Sequence, residues 1–162
     1  MNVYTDCHRF TLKRQWMGTG GCVNFLMLNP SIADDHLDDP TIRKCVGFAK
    51  RWGYGSIHVT NLFAFLATDP NDLKEMARRD YRRAVGDGND DIIMLGYSLS
   101  KITVCAWGNL GRMYGRDKDV LHRVLLDCPV YCIGVTHDGN PLHPGRTAYT
   151  NAPVRFTLPE RD

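Results

Sequence analysis

The sequence predicts an α/β fold, on three observations. Short apolar runs typical of buried strands recur along the chain, at 22–28, 56–60, 102–107 and 129–135. Stretches with helical character separate these runs, and this alternation is the signature of a parallel sheet with crossover helices. The length of 162 residues suits one domain, so we expect residues 1–162 to form a single unit. Because such crossovers are right-handed, helices should cover both faces and give a three-layer α/β/α sandwich.

The N-terminal segment precedes the first buried run and has a different pattern. Residues 8–14 alternate polar and apolar side chains, which predicts a half-exposed edge strand or hairpin. Gly18, Gly20 and Gly21 indicate a turn, and the run 22–28 then stops at Asn29 and Pro30.

The clearest helix start follows at Asp39. Asp39 can cap a helix whose first position is Pro40, and an apolar stripe follows at Ile42, Cys45, Val46 and Ala49. The basic residues Arg43, Lys44, Lys50 and Arg51 fall largely off this stripe and predict a solvated face. Further helices are predicted at 69–84, 91–100 and 117–126, with a late edge strand at 154–158.

Composition excludes several classes of protein. Twenty Lys and Arg against eighteen Asp and Glu give a net charge of +2, which argues against a broad nucleic-acid clamp but leaves a local basic patch open. No apolar run approaches the ~20 residues of a membrane helix, and the first ten residues lack a signal-peptide pattern, so we expect a cytoplasmic protein without a membrane partner. The six cysteines have irregular spacing, which favours buried free thiols. The oligomeric state stays open.

Ligand sites in parallel sheets lie beyond the carboxyl ends of the strands, which selects four loops. These loops are 29–39, 61–70, 107–116 and 136–148. They carry Asn, Asp, His, Arg and aromatic residues, the composition of a polar cleft with stacking surfaces. No zinc, calcium or nucleotide-loop spacing occurs, so we expect no metal and no cofactor.

Each candidate residue also has a structural alternative. Asn29 and Asn61 are common turn residues, and Asp39 can act as a helix cap rather than an acid. Trp107 can belong to the core, and His137 and His143 can be ordinary polar loop residues.

Several motifs together resemble a bacterial and phage family catalogued as a domain of unknown function. They begin with Asn29-Pro-Ser-Ile-Ala-Asp34 and Asp38-Asp-Pro-Thr-Ile-Arg43, and continue through 59–65, 106–108 and 136–144. The order of three of them is also distantly similar to the uracil-DNA glycosylase superfamily. These three are the loop Leu28–Ser31, the strand end Thr60-Asn61 and the pair His143-Pro144. This second resemblance implies a four-stranded parallel sheet of order 2-1-3-4.

The resemblance also implies roles for individual residues. Asn29 would hold the attacking water, Asn61 would hydrogen-bond the edge of a base, and His143 would stabilise negative charge on the leaving base. Because position 29 lacks the carboxylate of the fastest members, one of Asp34, Asp35, Asp38 and Asp39 would supply the base, and we select Asp39. The substrate-binding set would be Pro30, Ser31, Asn61, Phe63, Trp107, His137 and Arg146, with Phe65 as an alternative stacking partner.

Two functions share this predicted pocket. One is an enzyme that cleaves or processes an N-glycosidic bond in DNA or a nucleotide. The other is a non-catalytic module, a sensor or sponge, that binds a nucleobase, a nucleotide or nucleic acid. A third hypothesis, a structural or protein-interaction role, explains the charged surface but not the polar strand ends.

Overall fold

A six-stranded mixed sheet lies at the centre of the molecule in the computed structural model, which describes residues 4, 5, 7–33 and 36–160. Its strands are β3 (Leu12–Gln15), β4 (Cys22–Met27), β5 (Ser56–Asn61), β6 (Ile102–Cys105), β7 (Tyr131–Cys132) and β8 (Val154–Arg155). They lie in the order β3-β5-β4-β6-β7-β8. Two further strands, β1 (Tyr4–Thr5) and β2 (His8–Arg9), pair with each other as a separate antiparallel ribbon.

The expectation of a four-stranded parallel sheet is corrected by the two edges. The strands β5, β4, β6 and β7 are parallel neighbours in that order. Both outer members then gain an antiparallel partner, because Leu12 lies opposite Val59 and Cys132 lies opposite Val154. The outer parallel strands β5 and β7 therefore have partners on both sides, so their outward backbone N–H and C=O groups do not form the exposed edges of the sheet.

The helices are α1 (Pro40–Arg51), α2 (Pro70–Arg79), α3 (Tyr81–Val85), α4 (Asn89–Ser98) and α5 (Arg116–Asp119). A π-helical turn (Val120–Val124) extends α5, and two 3₁₀ segments span Asn109–Gly115 and Pro144–Arg146. The single helix predicted at 69–84 is two helices. Asp80 leaves helical geometry at φ −152° and ψ 89°, and its carboxylate accepts a hydrogen bond from the backbone N–H of Arg83, which starts α3.

Helices cover both faces of the sheet and enclose two apolar cores. On one face α1 packs Ile42, Cys45 and Phe48 against side chains of β4, β5 and β6. On the other face α2 to α4 and the segment after α5 enclose a second cluster, which includes Leu73, Ile93 and Val120. All six cysteines are free thiols, and Cys45, Cys105 and Cys132 are buried in these cores as the sequence predicts. Within the described residues, none of the helices has the length and apolar character needed to cross a bilayer.

A row of buried polar groups crosses the sheet beneath α4. The Thr60 hydroxyl donates to Asn24 Oδ1 at 3.1 Å, and Asn24 Nδ2 donates to Thr103 Oγ1 at 3.3 Å. The helix α4 approaches this row at Gly96, where a Cβ atom would stand 2.7 Å from the Thr60 methyl carbon. These hydrogen bonds satisfy the polar groups that the close packing of α4 shields from water.

His58 adjoins this row but lacks such partners. Its side chain is 2% exposed, and neither ring nitrogen has a hydrogen-bond partner among the described residues. Burial, reinforced by the nearby charge of Lys13, lowers the pKa of His58 from 6.5 to about 4. The ring is therefore neutral in the folded protein at neutral pH, and charging it opposes folding.

This burial predicts acid sensitivity. Since the unfolded chain takes up the His58 proton near pH 6.5 and the folded chain near pH 4, the stability contribution is complete above 6.5 and is lost as the pH falls to 4. The free energy of unfolding of the wild-type protein should fall between pH 7.5 and pH 4.5. In His58→Leu we expect this fall to be smaller by roughly 2–3 kcal/mol, because the variant has no imidazole to protonate. Urea unfolding at both pH values measures it, with the exposed His122→Leu as the matched control; equal pH dependence in wild type and His58→Leu contradicts it.

Candidate functional site

A cavity of about 470 Å³ opens where the carboxyl ends of β4 and β5 meet the start of α1. Its apolar wall comes from the α1 face of the sheet and from the first turn of the helix, with Leu12, Met27, Ile42 and Val59. Seven of the predicted site residues line it: Asn29, Pro30, Ser31, Asp39, Asn61, Trp107 and His143. The volume falls in the range of about 300–1,000 Å³ that is usual for small-molecule pockets.

Asn61 is a nearly buried polar residue that lines this cavity. It is the last residue of β5 and is 3% exposed, and its backbone carbonyl accepts a hydrogen bond from Asn89 Nδ2 at 2.9 Å. Its side-chain amide lines the cavity and has no hydrogen-bond partner among the described residues. The amide atoms are open to the cavity, so they can hydrogen-bond a ligand or a water there.

The amide nitrogen of Asn29 joins the loop after β4 to the loop after β5. Its Nδ2 donates to the carbonyl oxygens of Pro30 at 2.9 Å and Ala67 at 2.8 Å. Backbone hydrogen bonds from Leu62 to Met27 and from Ala67 to Pro30 bind the same two loops. Asn29 Oδ1 has no donor among the described residues, so the side chain offers the cavity an acceptor.

Asp39 serves as the N-cap of α1 and also lines the cavity. Its Oδ1 accepts the backbone N–H of Ile42 at 2.8 Å, as the helix-start pattern predicts. A carboxylate has two oxygens, and the cap uses one of them. Asp39 can therefore cap α1 with one carboxylate oxygen and still offer the other to a ligand or water in the cavity.

His143 faces the cavity from the loop after β7. Its Nδ1 accepts the backbone N–H of Gly145 at 3.1 Å, so a neutral ring carries its proton on Nε2. Desolvation lowers the pKa of His143 below 6.5, Arg146 lowers it further, and the nearby carboxylate of Asp39 partly opposes both effects. At neutral pH the ring is a neutral hydrogen-bond donor.

Trp107 closes one side of the cavity but belongs mostly to the core. The residue is 2% exposed, and its ring packs edge-on against Phe156 with centroids 6.0 Å apart. Its indole lies so close to the Gly111 backbone that any side chain there would collide with it. Little of the ring is accessible, so Trp107 shapes the wall and gives a base little surface for stacking.

Three predicted substrate-binding residues lie outside the cavity. Phe63 is fully buried in the opposite core and packs edge-on against Tyr81, because the chain turns away from the cavity directly after β5. The His137 side chain is fully exposed in the turn that joins Thr136 to Asn140. Arg146 is exposed at the end of the 3₁₀ turn that begins at Pro144.

The acidic loop before α1 supplies one carboxylate to the described part of the site. Asp34 and Asp35 lie outside the described residues. Asp38 forms an ion pair with Arg14 of β3 at 2.6 Å and accepts a hydrogen bond on its backbone carbonyl from Arg43. Asp39 is therefore the acidic residue that the described structure brings to the cavity.

Sequence reasoning missed Arg9, a charged residue in the cavity wall. It ends β2, is 5% exposed and shares the cavity with Leu12 and Val59. The alternating pattern of residues 8–14 assigned its side chain to solvent. A cavity behind an edge strand leaves no periodic signal, so only the fold reveals this position.

The basic face of α1 holds the His143 loop in place. Lys44 Nζ donates to the Thr147 carbonyl at 2.7 Å, and the Thr147 hydroxyl donates to the His143 carbonyl at 2.8 Å. Lys44 and Arg51 also lie against the Tyr149 ring, 3.9 and 3.8 Å from its centroid. The expectation that this face is simply solvated is corrected at Lys44, which is half-buried, whereas Arg51 stays exposed while it lies against the ring.

A model of one protein family matches residues 9–145, which include every described residue that lines the cavity. The chain belongs to the DUF1643 family, described as proteins of unknown function. No curated protein and no solved structure has significant similarity to the chain. Within the described residues, no cluster of three or more His, Cys, Asp or Glu side chains is arranged to hold a metal ion.

The contact between α1 and Tyr149 predicts a coupled pair of mutations. A Cβ at Gly47 would stand 2.6 Å from Tyr149 Cε1, so we expect Gly47→Ala to destabilise the protein by about 1–3 kcal/mol. In a Tyr149→Ala background the same change should stabilise by up to about 1 kcal/mol, since alanine is the better helix former. Thermal unfolding of the four proteins measures the coupling, and equal effects in both backgrounds contradict it.

Proposed function

We propose that the cavity of this family member recognises a nucleobase, with Asn61 as the group that reads it. The observation that carries the proposal is the Asn61 amide, which opens into the cavity from a residue that is only 3% exposed and has no hydrogen-bond partner among the described residues. An amide presents an N–H donor beside a carbonyl acceptor, which is the complement of the adjacent polar groups on a base edge. The apolar side chains of Met27 and Val59 give the flat ring of a base a surface to pack against.

The other polar groups of the cavity suit the atoms around such a base. Asn29 offers an acceptor, and the neutral His143 ring offers a donor on Nε2. Together with Asn61, these groups lie at or beyond the carboxyl ends of three different strands, β4, β5 and β7, as sites at the edge of a parallel sheet usually do. The near-neutral charge of the whole chain is compatible with a small enclosed ligand.

Calorimetric titration with free bases and nucleosides tests this recognition. We expect Asn61→Leu to weaken binding of the preferred base by at least about tenfold, because a paired amide contributes roughly 1–3 kcal/mol to discrimination. Asn71→Leu, an asparagine on the exposed surface of α2, is the matched control and should bind as wild type does. Absence of any base or nucleoside binding by the wild-type protein, or full binding by Asn61→Leu, rejects the proposal.

A second candidate function is hydrolysis of the N-glycosidic bond, favoured by the shared position of Asp39 and His143 at the cavity. The carboxylate oxygen of Asp39 that does not cap α1 can take a proton from water. The water oxygen then bonds to the anomeric carbon as the carbon–nitrogen bond breaks, and the electron pair stays on the base. His143 Nε2–H stabilises that negative charge by hydrogen bonding.

The hydrolytic candidate predicts a sharp effect of one isosteric change. Asn is as good a helix cap as Asp, so Asp39→Asn keeps the start of α1 while it removes the proton acceptor. We expect base release to fall at least about 100-fold. Mass spectrometry after incubation with nucleotides and base-modified oligonucleotides measures release. If the wild-type protein binds these ligands but releases no base, hydrolysis is excluded and recognition alone remains.

A further inference from the structure

We propose that a basic groove beside the cavity binds the phosphate chain of the ligand, so that the ligand is a nucleoside triphosphate. The inference rests on the proposed recognition of a base and extends it to the ligand class. The groove has a volume of about 590 Å³ and lies between α2 and the 3₁₀ segment Asn109–Gly115. It adjoins the cavity at the start of α2, where Pro70 lines the cavity and Lys74, one turn later, lines the groove.

Cations line the groove from both of its sides. Lys74 and Arg78 lie one turn apart on an exposed face of α2, and Arg112 comes from the 3₁₀ segment. Glu75 is the carboxylate among the described lining residues, and its oxygens accept hydrogen bonds from Arg78 at 2.9 Å and Arg79 at 2.6 Å. Lys74 and Arg112 form no ion pair with any described residue. Their positive charge is therefore left for an anion in the groove.

Asn109 adds a hydrogen-bond donor at the end of the groove nearest the cavity. Its Oδ1 accepts hydrogen bonds from the Thr136 hydroxyl at 2.8 Å and from Asn140 Nδ2 at 2.9 Å, so the amide is held in one orientation. Its Nδ2 has no acceptor among the described residues and is left to donate. Asn109 follows Trp107 of the cavity wall by two residues, so a phosphate chain that leaves the cavity there reaches this donor beside the cations.

The length and charge of the groove suit a short phosphate chain. The axis of α2 rises roughly 12 Å from Pro70 to Arg78, since each helical residue adds about 1.5 Å. Each phosphate of the chain brings further negative charge, which the cations of the groove can bind and which a nucleoside lacks. A net charge of +2 for the whole chain is low for a protein that binds a long nucleic-acid strand, and this favours a free nucleotide.

The experiment compares ligands that share a base and differ in the phosphate chain. Calorimetry measures binding of each nucleoside, its 5′-triphosphate and the trinucleotide of the same base. The proteins are wild type, the groove variant Lys74→Met/Arg112→Met and the control Lys101→Met/Arg155→Met, which removes two exposed cations outside the groove and the cavity. We expect wild type and control to bind the triphosphate at least about tenfold more tightly than the nucleoside, and the groove variant to reduce this ratio to near one. Added salt should lower the wild-type ratio, because exposed charges are screened.

Each outcome bears on one proposal or the other. Equal affinity of the wild-type protein for nucleoside and triphosphate overturns the role of the groove but leaves base recognition intact, as does a preference that survives in the groove variant. Tighter binding of the trinucleotide than of the triphosphate overturns the choice of a free nucleotide. Failure of every ligand to bind overturns base recognition itself, and the groove proposal with it.

Two further variants keep the test decisive. Asn61→Leu should weaken nucleoside and triphosphate binding by the same factor, and triphosphate binding that stays unchanged overturns the link between cavity and groove. If thermal unfolding shows that the double groove variant does not fold, Arg112→Met alone decides: its ratio must fall several-fold, and an unchanged ratio overturns the proposal.

Discussion

The register between the parallel strands β4 and β5 is the constraint on which the site depends. Met27 lies opposite Asn61, so both strands end at the same level. The loops that leave them stay bonded, because Leu62 donates to the Met27 carbonyl and Phe63 to the Leu28 carbonyl. A slip of one residue would turn the Asn61 side chain to the opposite face of the sheet and remove it from the cavity.

Asn29 reinforces this register beyond the last pair of the strands. Its amide nitrogen reaches the Ala67 carbonyl, six residues past the end of β5. One amide thus fixes the width of the cavity mouth between the two loops. This bonding restricts the chemistry of Asn29 as well, since its donor side is occupied and only its oxygen faces the ligand or a water.

The predictable part of the molecule is the part that local pattern encodes. We predict the position of the site from the four apolar runs, the cap at Asp39 and the rule that sites lie at the carboxyl ends of strands. Three residues selected in this way, Asn29, Asn61 and His143, line one cavity in the structure. The pairing of β3 and β8 along the sheet edges depends on contacts between distant residues, and two-residue strands such as β7 and β8 carry little periodic signal.

The errors at individual residues have the same origin. Arg9 looks like a solvent-facing strand residue in the sequence, and Phe63 looks like a stacking residue beside Asn61. Alternation along the chain predicts opposite faces but not which face meets a cavity. The structure buries both side chains, Arg9 in the cavity wall and Phe63 in the opposite core, because α1 covers one face while α2 to α4 cover the other.

The two polar ends of the cavity differ in how firmly they are held, and this difference bears on what each can do. Asn61 belongs to a central strand with paired neighbours on both sides, so its backbone is held rigidly, as the proposed recognition of a base requires. His143 lies on a long loop that is secured to α1 through Lys44, Thr147 and Tyr149. Since Asp39 begins the same helix, a shift of α1 moves the carboxylate and the imidazole together. The helix therefore keeps the carboxylate and the imidazole in a constant relation to one another, while the sheet fixes the position of the Asn61 amide.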